Sequence, residues 1–173
     1  MMKWLREIKY AAGLLLVLRV YLGWTWMSAG WHKITADQPF DATGYLKGAI
    51  GNPVVDKATG DMLYPTYMAF LENFALPNAG LINIMIPYGE FLVGLGLIVG
   101  VLTTAAAFFG LLMNFMFMFA GTISTNPWMT LLGIIILVAG MNAARFGGDY
   151  YVAPYLKKMI AKHNKSKNKK IDI

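Results

Sequence analysis

The sequence predicts an all-α polytopic membrane protein: a bundle of four transmembrane helices with a structured outer loop between the first two. Three observations carry this. Hydrophobic residues make up 57% of the 173 residues, and mean hydropathy is +0.51, a larger apolar share than soluble domains carry. The apolar residues fall in blocks near twenty long, the length that crosses a hydrocarbon core about 30 Å thick. Turn residues separate the later blocks. A single domain over residues 1–173 is expected, with no room for a second.

The first apolar segment runs from about Ala11 to Trp31. At about 1.5 Å per residue it spans roughly 31 Å. It is too long for a cleaved signal peptide, and Arg19 interrupts its apolar middle. Residues 32–79 form the outer loop, with Asp37, Asp41, Asp56, Asp61 and Glu72 against three lysines. Gly51-Asn-Pro53 and Thr59-Gly-Asp61 are turn signals. Asp41–Ile50 and Thr66–Phe74 are expected as short helices at the interface, and the aromatic content argues against disorder.

The second segment runs from about Gly80 to Leu102 and contains Glu90, with Pro87 expected to kink it one turn earlier. Thr103 and Thr104 mark a reversal. The third segment runs from about Ala105 to Ile123. Ser124-Thr125-Asn126-Pro127 supplies an N-cap with proline at the first helical position. The fourth runs from Trp128 to about Arg145, and Gly147-Gly148 ends it. A basic tail follows over 149–173, its Tyr150, Tyr151 and Tyr155 suiting the aromatic edge of an interfacial helix.

Net charge is +6. Lys157, Lys158, Lys162, Lys165, Lys167, Lys169 and Lys170 crowd the tail, and Lys3, Arg6 and Lys9 precede the first segment. Beside spanning helices, such charge signals orientation and attraction to anionic lipid rather than nucleic acid. Four spans put both termini on one side, and the lysines place that side in the cytoplasm of a cell-membrane protein. There is no cysteine, which excludes disulfides, thiol relays and iron–sulfur or c-type haem attachment. His32 and His163 lie too far apart for one membrane site, so no metal or haem centre is expected.

Arg19 and Glu90 are the only charges deep within the apolar segments, and ionisable residues there are usually paired and functional. Arg19 lies about nine residues, or roughly 13 Å, from the inner start of its helix. Glu90 lies about ten residues, or roughly 15 Å, from the outer start of its own. Both depths fall near the midplane, so the geometry allows contact between them, and whether they form a direct ion pair is left to the tertiary structure. Two readings stand for the pair: a clamp fixing helix register, or a proton-carrying site.

Helical spacing puts Arg19, Gly23, Trp26, Gly30 and Lys33 on one face, and Asn83, Pro87, Glu90, Gly94 and Leu97 on another. The glycines allow close helix approach, as does the Gly96–Gly100 pair. Ala107, Gly110, Asn114 and Gly121 form a third seam, with Asn114 expected in an interhelical hydrogen bond near mid-depth. Met113, Met116 and Met118 are expected as gap-filling or lipid-facing residues. Trp24, Trp26 and Trp31 suit interfacial anchoring, as does His32-Lys33 at the helix end.

These residues resemble the DoxX/DoxD family of small bacterial membrane proteins. The matching parts are Arg19-Val-Tyr-Leu-Gly23 with Ala29-Gly30-Trp-His-Lys33, then Tyr88-Gly-Glu90, Gly94-Leu-Gly96-Leu and Gly100-Val-Leu-Thr. The four-span layout with a long first outer loop matches too. The family's mid-helix Arg and Glu map onto Arg19 and Glu90.

The resemblance implies quinone-linked oxidoreduction. Family members include the membrane subunit of thiosulfate:quinone oxidoreductase and proteins linked to oxidative stress or to quinone and catechol detoxification. With no cysteine, thiosulfate oxidation by this chain alone is not expected. On this reading menaquinone or ubiquinone is the substrate, and no cofactor is covalently bound. A partner oxidoreductase subunit or soluble reductant supplies electrons. Glu90 relays protons beside Arg19, Tyr88 and Trp26 line the ring, and Asn114, His32 and Lys33 complete the binding set. The alternative is a non-enzymatic membrane module that binds or moves a lipid or small hydrophobic compound, or scaffolds a complex. Four-helix thiol–quinone oxidases are excluded, because they need reactive cysteines.

Overall fold

The computed structural model describes residues 2–152 together with 154 and 155. The expected basic tail lies outside the described residues from 156 onward. Helix makes up 74% of the structure and no strand occurs among the described residues, so the class is all-α. The elements are α1 (Met2–Glu7), α2 (Lys9–Ile34), α3 (Thr43–Gly51), α4 (Pro65–Phe70), a π-helical turn (Leu71–Ala75), α5 (Ala79–Val99), α6 (Thr103–Phe119), α7 (Asn126–Ala139) and a 3₁₀ turn (Gly140–Asn142).

Four helices make the bundle: α5 packs on α2 and α6, and α7 packs on α6 and α2, closing the ring. Small residues set the closest crossing, as their spacing predicts. A Cβ built on Gly23 would lie 2.8 Å from the Gly94 carbonyl, and one on Gly30 would lie 2.5 Å from the Pro87 carbonyl. The backbones of α2 and α5 therefore touch where side chains would hold them apart. The inner core gathers Leu15, Leu22, Trp26, Val93, Leu97 and Ile136.

α5 runs unbroken through Pro87, so the proline does not end the helix. It is buried, and its carbonyl lies against Gly30. α5 then ends at Val99, three residues earlier than the apolar run suggests, where Gly100 turns left-handed with a φ of 71°. α7 ends at Gly140 (φ 56°) rather than at Gly147-Gly148. Pro127 does open α7, but no side chain caps it; Asn126 instead donates to the Thr122 carbonyl at 2.9 Å.

The segment between α2 and α5 forms a cap with its own core of Ala42, Leu46, Ala49, Met68, Leu71 and Ala75, joined by Ala120. Asp41 accepts from the Thr43 backbone N–H at 2.9 Å and from its hydroxyl at 2.6 Å. Asn83 of α5 accepts from the Ala42 N–H at 2.8 Å, which ties the start of α3 to the bundle.

The bundle's outer faces carry exposed large apolar side chains: Leu14, Val17 and Trp24 on α2, Ile84 and Leu92 on α5, Phe108 and Phe109 on α6, and Trp128 and Leu131 on α7. A continuous surface of this kind would drive aggregation in water and matches acyl chains in a bilayer. By length and composition, α2 and α5 are each able to cross a membrane, while α6 and α7 are shorter apolar helices.

Candidate functional site

Glu90 is buried on the α2-facing side of α5, and its partner is Lys33. The Lys33 ammonium donates to Glu90 Oε2 at 2.5 Å, with side-chain exposures of 29% and 4%. The register of the close crossing explains the pairing. α2 and α5 run antiparallel, Gly23 meeting Gly94 and Gly30 meeting Pro87 and Phe91. Glu90 therefore lies level with Gly30, and the long Lys33 side chain, one turn further along α2, leans back toward the helix N-terminus to reach it.

The pair opens onto a recess of about 250 Å³ lined by Lys33, Phe40, Tyr45, Ile86, Glu90, Phe117 and Thr122. Thr122 donates to the Tyr45 hydroxyl oxygen at 3.2 Å, and Phe117 meets the Tyr45 ring edge-on. The Lys33 ammonium sits 5.9 Å from the centre of the Phe40 ring, within cation–π range. Across Tyr45, Ile86 and Phe117 the recess adjoins an apolar chamber of about 120 Å³, walled by Tyr67, Phe70, Met85, Met113 and Met116 among others. Burial raises the hydroxyl pKa of both Tyr45 and Tyr67.

Arg19 is not part of this site, which corrects its expected place beside Glu90 in the catalytic set; the contact that the depths allowed is not made. Its guanidinium lies between Gly100 and Gly147 and donates to the Phe146 carbonyl at 3.3 Å. Gly100 is ten residues beyond Glu90, about 15 Å along the helix. The depth argument fails because α2 and α5 do not begin level with each other's ends. α2 begins about ten residues before it reaches the level of Gly100, and α5 starts beyond the C-terminal end of α2.

At this end of the bundle Asp149 accepts from the Leu102 N–H at 2.7 Å and the Thr103 N–H at 2.8 Å. It thus caps α6, which has no side-chain cap of its own, and its charge reaches Arg19. Nε and one terminal nitrogen of Arg19 have no partner among the described residues. Asn142 ties this end further, donating to the Leu5 and Ile8 carbonyls at 2.8 and 3.0 Å.

The other expected site residues scatter. Tyr88 is 52% exposed and faces outward, because residues two apart on a helix point about 200° apart. His32 is exposed beside Lys33. Trp26 is buried between α2 and α6, against Gly110. Asn114 is buried, but its Oδ1 has no partner among the described residues, so the expected interhelical bond is not made by that atom. Of the predicted set, the structure brings together Glu90 and Lys33.

Tyr45, Phe40, Phe117 and Thr122 were not legible as site residues, because they come together from α3, α6 and the connections between α2 and α3 and between α6 and α7. The register of Gly23 and Gly30 against Gly94 and Pro87 was the signal that could have revealed Lys33. No group of three or more His, Cys, Asp or Glu side chains able to hold a metal occurs among the described residues.

The DoxX family model matches residues 14–123. No curated protein and no solved structure matches the chain.

Proposed function

The chain belongs to the DoxX family, a family of membrane proteins, and from that premise we propose that it is the quinone-interacting subunit of a membrane oxidoreductase system. One observation carries the reading: a buried carboxylate paired with a lysine at the mouth of an aromatic recess. Reducing a quinone to a quinol takes two electrons and two protons. Lys33 holds the quinone oxygen by hydrogen bond and Glu90 relays protons to it, with Tyr45 as a second hydrogen-bond donor. A partner oxidoreductase subunit or a soluble reductant supplies the electrons, and menaquinone or ubiquinone accepts them.

All four bundle helices cross the bilayer in this reading. α6 has 17 residues, and α7 has 14 continued by a 3₁₀ turn of 3, so both fall at the short end of the range for a spanning helix, about 17–25 residues. Four spans put both termini on one side. Lys3, Arg6 and Lys9 at the α1 end, with the lysines of the tail, make that side cytoplasmic. The Lys33–Glu90 pair then lies toward the outer face, under the cap of α3 and α4. Arg19 and Asp149 serve as an inner clasp instead of catalysis.

The test is protein in lipid nanodiscs, assayed for bound quinone by mass spectrometry and for quinol formation with candidate donors. Glu90→Gln is expected to slow quinol formation by about a hundredfold, the lower range for loss of a positioned acid–base group. Unchanged rates in both Glu90→Gln and Lys33→Met would sink the reading. The second reading is a module that binds a lipid or small hydrophobic compound without turnover. The almost wholly apolar walls of the adjoining chamber favour it, and bound lipid without quinone would select it.

A further inference from the structure

The recess and the chamber lie side by side, and only the recess carries charge, at Lys33 and Glu90. Tyr45, Ile86 and Phe117 line both. Lys33 and Glu90 stand in the recess with the hydrogen-bonded hydroxyls of Tyr45 and Thr122. Beyond, the chamber passes between α5 and α6 beneath α4, and its remaining walls are aliphatic, aromatic or thioether.

Two of those walls reach the outer surface of the bundle: Met85 is 57% exposed and Phe70 is 37% exposed. Met85 continues the exposed apolar face of α5 that Ile84 and Leu92 mark. The chamber rim therefore belongs to the surface that faces acyl chains. Phe70 stacks on Phe74 and on Tyr67, so aromatic rings frame the rim where cap and bundle meet. Such rings favour the membrane–water boundary.

We propose that recess and chamber together take a tailed amphiphile directly from the bilayer, with its polar ring at Lys33–Glu90 and the first carbons of its hydrocarbon tail in the chamber between α5 and α6. The proposal rests on the quinone reading for the identity of the ring, but not for the tail subsite. Size supports it: recess and chamber together only reach the low end of the range for small-molecule sites, about 300–1,000 Å³. They hold a ring and a short length of chain, and the rest of the tail lies in lipid. Polarity supports it as well, since a water-soluble ring compound would gain nothing from the thioethers of Met85, Met113 and Met116. Those flexible side chains adapt to a chain of any shape. Access is lateral, past Met85 and Phe70, and needs no opening of the outer cap to water.

The experiment uses the full chain in nanodiscs and compares two probes: a methylbenzoquinone without a tail, and the same ring carrying a decyl chain. Quinone retained over empty nanodiscs is counted by mass spectrometry, at equal mole fraction in the membrane. The wild-type protein is expected to retain the decyl quinone at least tenfold better. Met116→Trp and Met85→Trp fill the chamber from different helices. Each is expected to lower retention of the decyl quinone to that of the tailless ring, leaving the tailless ring unchanged. Equal retention of both probes by the wild type overturns the tail subsite, as does a tail preference that survives both substitutions. A parallel arm measures phosphatidylglycerol held through detergent washing. Phosphatidylglycerol retention that both substitutions abolish, with neither quinone bound, supports the tail subsite and overturns the quinone reading. Retention of neither quinone nor lipid overturns both.

Discussion

Lys33 and Glu90 form an ion pair at 2.5 Å that fastens the outer end of α2 to the middle of α5. The two partners differ in their access to water: Glu90 is 4% exposed and Lys33 is 29% exposed. Freed of its partner, Lys33 swings its ammonium outward on a flexible stem. Glu90 has no such escape.

The single substitutions should therefore differ. Lys33→Met strands a buried carboxylate, and the loss should approach the roughly 3–5 kcal/mol of a broken buried pair. Glu90→Gln leaves a lysine that reaches water and should cost less. Lys33→Met with Glu90→Gln should recover much of the first loss. Thermal unfolding of all three variants in detergent checks the order, and equal losses for the two single variants would contradict it.

The crossing of α2 and α5 makes a steric prediction. A Cβ on Gly94 would lie 2.5 Å from the Gly23 carbonyl and collide with the Met27 backbone. Backbone atoms cannot swing aside, so Gly94→Ala should destabilise by about 1–3 kcal/mol, the usual penalty of overpacking. Gly13→Ala, on the same α2 helix with open space around it, should instead stabilise by about 0.5–1 kcal/mol. Melting temperatures of the two variants should move in opposite directions.

Asp149 does two things at the inner end, capping α6 and placing a negative charge near Arg19. Asp149→Ala should cost about 0.5–2 kcal/mol for the cap alone, and more through Arg19. Arg19→Met in the Asp149→Ala background should cost less than in the wild type. A double-mutant cycle on unfolding free energy measures that coupling, and strict additivity would remove Arg19 from the clasp.

The outer cap should respond to acid through Asp41. The Thr43 hydroxyl, then the Thr43 N–H and the Asn83 amide, hold its carboxyl below the ordinary value of 3.8. A depressed folded pKa stabilises above the unfolded value, and the contribution is lost as pH falls through the folded one. Amide exchange in α3 should therefore accelerate as pH falls below about 4, after correction for intrinsic rates. In Asp41→Asn that extra acid response should vanish. A response of equal size in the variant would assign it to another group.

Much of the fold was written in local pattern. Block length and glycine spacing along α2 and α5 identified the helices and the faces they bury, and Gly23, Gly30 and Gly94 do make the close contacts expected of them. The ends were less legible. Gly100 and Gly140 terminate helices inside apolar runs because a positive φ ends a helix whatever the hydropathy around it. Asp149 caps a helix that begins 46 residues earlier, and nothing in its neighbourhood of sequence announces that.

The sequence by itself determined the family, the all-helical class, and that Glu90 would be a carboxylate buried among apolar helices. Only the tertiary structure decided which cation answers it. Register between two helices is set by where their backbones touch, not by where each apolar run starts. The contact of Gly30 with Pro87 brings Lys33 to Glu90 and leaves Arg19 about 15 Å away, against Gly100.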